Sequence, residues 1–252
     1  QDMTDGPLIV QSDKTMLLEV DHADSVACRK AIAPFAELER APEHIHTYRL
    51  TPLGLWNARA AGHDAESVVD TLIRYSRYPV PNALLIDVAE TMSRYGRLQI
   101  NTDPANGLIL QAIDVAVLEE VLKSKKVAPL LGTRIDENTV AVHPSERGHL
   151  KQALVKLGWP AEDVAGYVDG ERHAISLKTD WDAREYQIQA ADGFWHGGSG
   201  VVVLPCGAGK TLVGALAMYR AQATTLILVT NTVSARQWRD ELLKRTNLTA
   251  DE

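Results

Sequence analysis

Pro205-Cys206-Gly207-Ala208-Gly209-Lys210-Thr211 is the stretch of this chain whose residue types and order are best suited to chemistry. Glycines at 207 and 209 let successive backbone N–H groups turn inward, making a concave nest for phosphate oxygens. A helix starting near Lys210 would add the positive end of its dipole. The Lys210 ammonium would then reach the β and γ phosphates of ATP, and the Thr211 hydroxyl would hold Mg²⁺. The general pattern G-x-x-x-x-G-K-[ST] asks for glycine at 204, where this chain has Leu204. What remains is a shorter form with glycine three before the lysine. The bland alternative is a chance glycine turn, and the flanking elements argue against it.

Those elements must place the loop. Val201–Leu204 reads as a continuous apolar strand, as expected in a buried parallel sheet. A helix of about 210–222, a strand Leu226–Thr230 and a helix of about 233–246 follow, and a helix of about 184–196 ending at Gly197-Gly198 precedes. This β-loop-α-β-α order opens an α/β nucleotide-binding domain. Arg184-Glu185-Tyr186-Gln187 lies just upstream, with Gln187 preceding Lys210 by 23 positions. A glutamine amide offers a donor and an acceptor that match the N6/N7 edge of adenine, although on a helix surface it is normally just solvated.

Before residue 180 the texture is different. Residues 8–20 read as short strands around an Asp13-Lys14 turn. Asp24 would cap a helix from Ser25 to about Arg40. A strand through Tyr48 and Leu50 leads to Thr51-Pro52, which opens a helix to about Ala61. Two helices follow over 64–95, one with Val68, Val69, Leu72 and Ile73 inward, the other with Leu84, Leu85, Val88 and Met92. With the hairpin Arg97–Ile100 and Leu108–Ala112 they resemble a winged helix-turn-helix; a helical hairpin that only packs fits as well. Beyond it, helices after Asp114 and over about 145–157 alternate with strands at Thr139–Val142, Val164–Val168 and Ala174–Leu177 in a small α+β unit. Arg74, Arg77, Arg94 and Arg97 would favour DNA, or form a solvated basic edge. Lys123, Lys125 and Lys126 sit at a helix C-terminus, where the dipole alone explains them; contact with DNA phosphates is the second reading.

Composition sets limits. The chain has 252 residues, room for two or three domains, and 45% hydrophobic residues, enough for a core. The net charge of −7 argues against a generally basic nucleic-acid coat. Charge falls unevenly: −4 over residues 1–100, −3 over 101–180 and 0 over 181–252, so the last third repels a polyanion least. Two cysteines, Cys28 and Cys206, give no disulfide framework or zinc pattern and suit a reducing cytoplasm. The polar N-terminus is no secretory signal, no apolar run would span a bilayer, and Met3 is the expected natural start. His22, His44 and His46 lack a further ligand at metal spacing and read as ordinary histidines.

Leu204–Thr211 as a whole resembles the ATP loop of the XPB family of DNA repair helicases, in the variant that the second helicase superfamily uses. Pro52–Ala61, Arg74–Pro81 and Lys125–Gly132 resemble the bacterial, especially actinobacterial, branch. The resemblance covers nearly the whole chain. It implies an ATP-driven 3′→5′ DNA translocase and helicase of repair, acting on single-stranded and on duplex or damaged DNA. It also implies an adenine-reading role for Arg184 and Gln187, ATP contacts over Pro205–Thr211, and a repair nuclease as a candidate partner. Thr230–Trp238 resembles the motif that holds single-stranded DNA phosphates, with Thr232 and Arg236 as the contacts and Asn231 where proline is usual. The implied fold is an α/β and α+β multidomain chain. A helical or winged-helix-like N-terminal domain would cover 1–97, a damage-recognition-like α+β domain 98–178, and the start of a RecA-like parallel α/β domain 179–252.

Other groups that such a motor needs do not occur in this sequence. Only 42 residues follow Lys210, and no D-E-x-H box lies among them. The expectation is therefore a piece of a longer motor, inactive alone, since phosphoryl transfer rests on positioning and charge stabilisation. Two other classes compete: a non-catalytic DNA- or protein-binding module with a vestigial nucleotide loop, and a small P-loop kinase, which would need an acceptor site and lid after the loop.

Overall fold

The computed structural model of the chain describes residues 5–252. Gln1 to Thr4, and with them the start expected at Met3, lie outside the described residues. The fold is mixed α/β and divides into two compact units, Gln1–Gly166 and Tyr167–Glu252.

The first unit holds two cores. The N-terminal one is built from β1 (Leu8–Val10), β2 (Thr15–Glu19), α1 (Ser25–Ile32), β3 (Ala36–Arg40), β4 (Ile45–Leu50), α2 (Pro52–Ala60), α3 (Ala65–Tyr75) and α4 (Asn82–Ser93). Its antiparallel sheet has the order β1-β2-β4-β3. Leu8, Met16, Leu18, Ile32, Leu72, Val88 and Met92 are buried between sheet and helices. Local chemistry sets the helix starts: Thr51 Oγ1 accepts from the Gly54 amide at 3.1 Å, and the Asp64 carboxylate from Ser67 at 2.8 Å. The helix expected to run from Ser25 to about Arg40 stops at Ile32. Pro34 lacks the N–H that the next turn requires, and residues 36–40 become β3, paired with β4.

The second core is built from β5 (Leu98–Asp103), β6 (Gly107–Ala112), α5 (Val115–Lys123), β7 (Leu131–Arg134), β8 (Thr139–Val142), α6 (Arg147–Leu157) and β9 (Ala161–Asp163). The sheet order is β7-β8-β6-β5-β9, antiparallel except for the β5–β9 pair. Leu98, Ile100, Leu110, Leu118, Val140, Leu150 and Leu154 are fully buried here. The winged-helix reading is corrected by this arrangement. The β5–β6 hairpin spends its apolar face on this second core, while α3 and α4 pack on the four-stranded sheet. The strand expected at Val164–Val168 is also absent; pairing with β5 uses Ala161–Asp163 instead, and Val164 and Val168 are exposed.

One charged cluster fastens α6 to β9. The Asp163 side chain is only 7% exposed and accepts from Arg147 Nε at 2.8 Å and Nη2 at 2.6 Å, with Lys151 Nζ at 3.1 Å. Burial alone would raise its pKa; the hydrogen bonds from Arg147, Lys151 and the Ala165 amide outweigh it and hold the carboxyl below its ordinary value.

The second unit is helical: α7 (Glu185–Gly197), α8 (Lys210–Ala221) and α9 (Thr232–Arg245). Ile175, Ala215, Met218 and Leu242 form its small core, with Trp238 against it. Gly214 lies so close to the Trp238 ring that a methyl group there would overlap it. The stretch before α7 is laced to helix ends. The Lys178 amide and the Trp181 indole both donate to the Arg245 carbonyl, at 2.8 and 3.0 Å. The Ile175 amide donates to Gln222 Oε1 at 3.2 Å. Ala174–Leu177, expected as a strand of the α+β domain, is therefore an irregular segment of this unit, bridged at Leu177–Thr246.

The parallel sheet expected from Val201–Leu204 and Leu226–Thr230 is not formed. Both segments are without a strand partner, and Val201, Val203, Leu226 and Leu228 are each more than 80% exposed. A parallel strand is stable between hydrogen-bonded neighbours, and this unit offers these two none. Among the described residues no helix is long and apolar enough to cross a membrane.

A depressed carboxyl contributes stability above its unfolded pKa, and that contribution disappears as pH falls through the folded one. Asp163→Asn should therefore destabilise the first unit by about 1–3 kcal/mol at pH 7, since both cations keep some solvent. The variant should also lose part of the acid limb below about pH 4. Urea denaturation at pH 7 and at pH 3 checks both; equal stability at pH 7 would remove the cluster from the fold's supports.

Candidate functional site

The loop 205–209 is shaped by two left-handed glycines. Gly207 has φ +77° and open space where a side chain would stand. Gly209, at φ +76°, is the N-cap of α8, so the helix begins at Lys210 with its first amides free of intrahelical partners. Lys210 is exposed and makes no ion pair among the described residues, and Thr211 is half-buried on the first turn. A convex anion surface brought to this point would meet inward amides, a helix N-terminus and one ammonium together.

Arg184 and Gln187 arrive at the same loop from the start of α7. Gln187 is 2% exposed. Its Oε1 accepts from the Arg184 amide at 2.9 Å, and its Nε2 donates to the Ala208 carbonyl at 2.9 Å and less closely to Gly209 at 3.4 Å. The Tyr186 hydroxyl donates to the same Ala208 carbonyl at 2.8 Å, and Arg184 Nη1 donates to that hydroxyl at 3.3 Å. Arg184, Tyr186, Leu204, Pro205, Cys206, Gly207 and Ala208 line an open cavity of about 440 Å³. Gln187 lies behind this cavity and anchors the loop. Tyr186 is the residue that sequence reasoning missed; its place inside Arg184–Gln187 was the available signal.

The other predicted contacts are scattered. Thr232 and Arg236 are exposed on the first two turns of α9. Asn231 caps that helix, its side chain accepting from Ser234 at 2.8 Å, so the residue standing where proline is usual still opens the helix. Arg77 is committed inward: it donates to the Gly6 carbonyl at 3.0 Å and pairs with Glu19. Arg74 lies over the Tyr75 ring at 5.4 Å. Arg94 and Arg97 flank the Trp159 ring at 4.8 and 5.9 Å, where the two cores of the first unit meet. Lys123, Lys125 and Lys126 are exposed and unpaired among the described residues. Cys28 is buried, which pushes its thiol up to about 12, whereas Cys206 is exposed in the loop. Among the described residues no three side chains gather in a metal-binding group; His44 pairs with Asp21 at 2.9 Å.

Comparison with known proteins decides the lineage. The family described as "Helicase conserved C-terminal domain" matches residues 8–136. Two relatives, each called "DNA 3'-5' helicase XPB", are 77% identical in Kineococcus radiotolerans and 71% identical in Mycobacterium tuberculosis, over 99% of this chain. The chain belongs to the XPB family of DNA helicases. It covers 45% and 46% of their lengths, so it spans about half of the curated relatives it matches. A more distant one, from Antonospora locustae, is 27% identical over the whole chain and 38% of its own length. It is named "General transcription and DNA repair factor IIH helicase/translocase subunit XPB". Residues 180–251, which hold the glycine loop, match the family described as "Type III restriction enzyme, res subunit". In this XPB-family chain the stretch matched at 8–136 precedes the loop and forms antiparallel sheets.

Alanine at Gly207 meets only the left-handed penalty, about 1–2 kcal/mol. Alanine at Gly209 also drives its methyl group into Gln187 Nε2. Gly209→Ala should therefore destabilise the second unit more than Gly207→Ala. Adding Gln187→Ala should restore part of the loss, a non-additivity of about 1 kcal/mol in chemical denaturation. Strict additivity would mean that the amide does not hold the loop.

Proposed function

We propose that this chain is the N-terminal portion, through the first ATPase motifs, of an ATP-dependent 3′→5′ DNA helicase and translocase of DNA repair. The observation that carries the reading is the convergence of Arg184, Tyr186 and Gln187 on the loop Pro205–Thr211. The names of the XPB relatives support it. In this reading Gly207–Gly209 cradle the β and γ phosphates, Lys210 neutralises their charge, and Thr211 gives Mg²⁺ one oxygen ligand. Bound ATP supplies the phosphoryl chemistry; this chain's own residues orient and neutralise it. Gln187 meets the adenine edge only by exchanging its Ala208 and Gly209 carbonyl partners for the base.

The first core, residues 1–97, is then the family's N-terminal domain, and the five-stranded core its damage-recognition-like domain. Because residues 172–181 bond to the second unit, the boundary on the motor side moves in this proposal from 178 to near Gly166. DNA contacts are Thr232 and Arg236 within the second unit and, separately, Lys123, Lys125 and Lys126 within the first. Arg77, already paired, drops from that set. A repair nuclease remains the candidate protein partner.

In the full-length protein Lys210→Ala should lower DNA-stimulated ATP hydrolysis by ~10²-fold or more. Wild-type turnover would sink the phosphate-loop assignment. Gln187→Ala should shrink the ratio of kcat/KM for ATP over GTP, because the adenine edge goes unread; an unchanged ratio would leave Gln187 only its anchoring role. Residues 1–252 alone should hydrolyse no ATP with or without DNA, and steady-state phosphate release from the purified chain checks it.

A further inference from the structure

The basic side chains of the first unit fall into two groups. Lys14, Arg49, Arg77, Arg97, Arg134, Arg147 and Lys151 each have a carboxylate partner. On α6 the division runs along the helix: Arg147 and Lys151 face Asp163, while His149, Gln152 and Lys156 share another face at helical spacing. That second face, with Ser124 and Lys126 from the turn after α5, encloses a cavity of about 280 Å³. Among the described residues no carboxylate lines it. Neither Lys126 nor Lys156 is ion-paired among the described residues, and Glu146 touches the group only from outside, holding His149 Nδ1 at 3.2 Å.

The helix dipole favours a cation in the last turn of α6, where Lys156 stands, but Lys126 lies three residues beyond the end of α5 and has no such explanation. At the end of α6 the Gly158 amide reaches the Leu154 and Val155 carbonyls at 3.1 Å, and the Trp159 amide reaches Leu154 at 3.0 Å. At α5 the Ser124 amide closes on Val121 at 3.1 Å. Neither lysine hydrogen-bonds a helix-end carbonyl among the described residues. What remains is two lysines, a serine and a glutamine lining one hollow, with no acid among its lining residues. A lysine ammonium binds phosphate as a point charge with rotatable donors. Lysine, serine and glutamine side chains are among the groups that seat nucleic-acid phosphates.

We propose that this cavity is a seat for one backbone phosphate of DNA, with Lys126 and Lys156 supplying charge and Ser124 and Gln152 supplying hydrogen bonds. The proposal rests on the DNA-binding reading above and narrows it: of the three lysines at and after the end of α5, Lys126 is the one that acts in concert with α6. The contact is blind to sequence and fixes register, because a phosphate carries no base information.

The test is Lys126→Glu with Lys156→Glu in the 252-residue chain, read by fluorescence anisotropy on a duplex oligonucleotide across 50–200 mM salt. A control, Lys30→Glu with Arg40→Glu, changes net charge equally at exposed positions elsewhere in the unit. The seat variant should weaken binding at low salt by more than ~10-fold beyond the control and flatten the log–log salt slope by about 0.9, the value for one neutralised phosphate. Circular dichroism should give the same melting curve for wild type and both variants; Lys126→Gln with Lys156→Gln repeats the test should the charge reversal unfold the chain. Wild type that binds DNA while the seat variant matches the control overturns the seat alone. Wild type with no salt-dependent binding overturns the DNA reading and the seat together. Inorganic phosphate separates the sources. If it shifts the His149 ring resonances in the wild type only, while DNA binding ignores the variant, the cavity holds a free anion and the proposal falls.

Discussion

The second unit depends on one buried amide. Gln187 has both polar ends engaged, the carbonyl by the Arg184 amide and the NH2 by the Ala208 carbonyl. An unpaired buried donor or acceptor costs about 1–3 kcal/mol, so this side chain cannot release one partner without finding another. It therefore couples two things that look separate along the chain, the start of α7 and the shape of the glycine loop. Gly209 must be glycine for the same reason: a side chain there would stand where the amide stands. Tyr186 adds a second hydroxyl anchor on the same carbonyl, so the loop is held at Ala208 by two donors while Gly207 stays free beside the cavity.

The first unit is organised by the opposite device, charge rather than a neutral amide. Asp163 draws Arg147 and Lys151 onto β9, while Leu150 and Leu154 turn the apolar face of α6 into the core. With those cations neutralised, the basic residues on the other face are left facing solvent. The Trp159 ring, flanked by Arg94 and Arg97 and followed by β9, joins the two cores of this unit through stacking and the Arg94–Gly158 hydrogen bond.

Much of this was legible in the sequence wherever the signal was local. Thr51-Pro52 and Asp64 opened helices at the expected residues because a cap bonds within three positions. The periodic apolar faces of α3 and α4, and the start of α8 at Lys210, were readable on the same ground. Three things were not. Pro34 ended a helix that its periodicity would have continued. The β5–β6 hairpin was visible, but its choice of core is set by long-range packing that no pattern of its own residues encodes. The neutralisation of Arg77 by Glu19 joins residues 58 positions apart, so a basic side chain that looked free in sequence was already committed.

The unformed sheet is the most instructive failure, because the motif that it was meant to carry formed without it. A helix satisfies its own backbone through bonds four residues apart, so α8 stands without a sheet, on the small core around Ala215 and Met218 and on the Gly214–Trp238 contact. A parallel strand satisfies none of its backbone internally. Val201–Leu204 therefore carries the right residues for a buried strand and still lies open beside a well-shaped loop. The loop's geometry comes from Gly207, Gly209 and the Gln187 amide, all of which act over short distances or through α7. Binding geometry and catalytic geometry thus separate physically. The groups that would hug a phosphate are assembled by local forces, while any group that must be presented from a neighbouring strand depends on a sheet these two segments do not make by themselves.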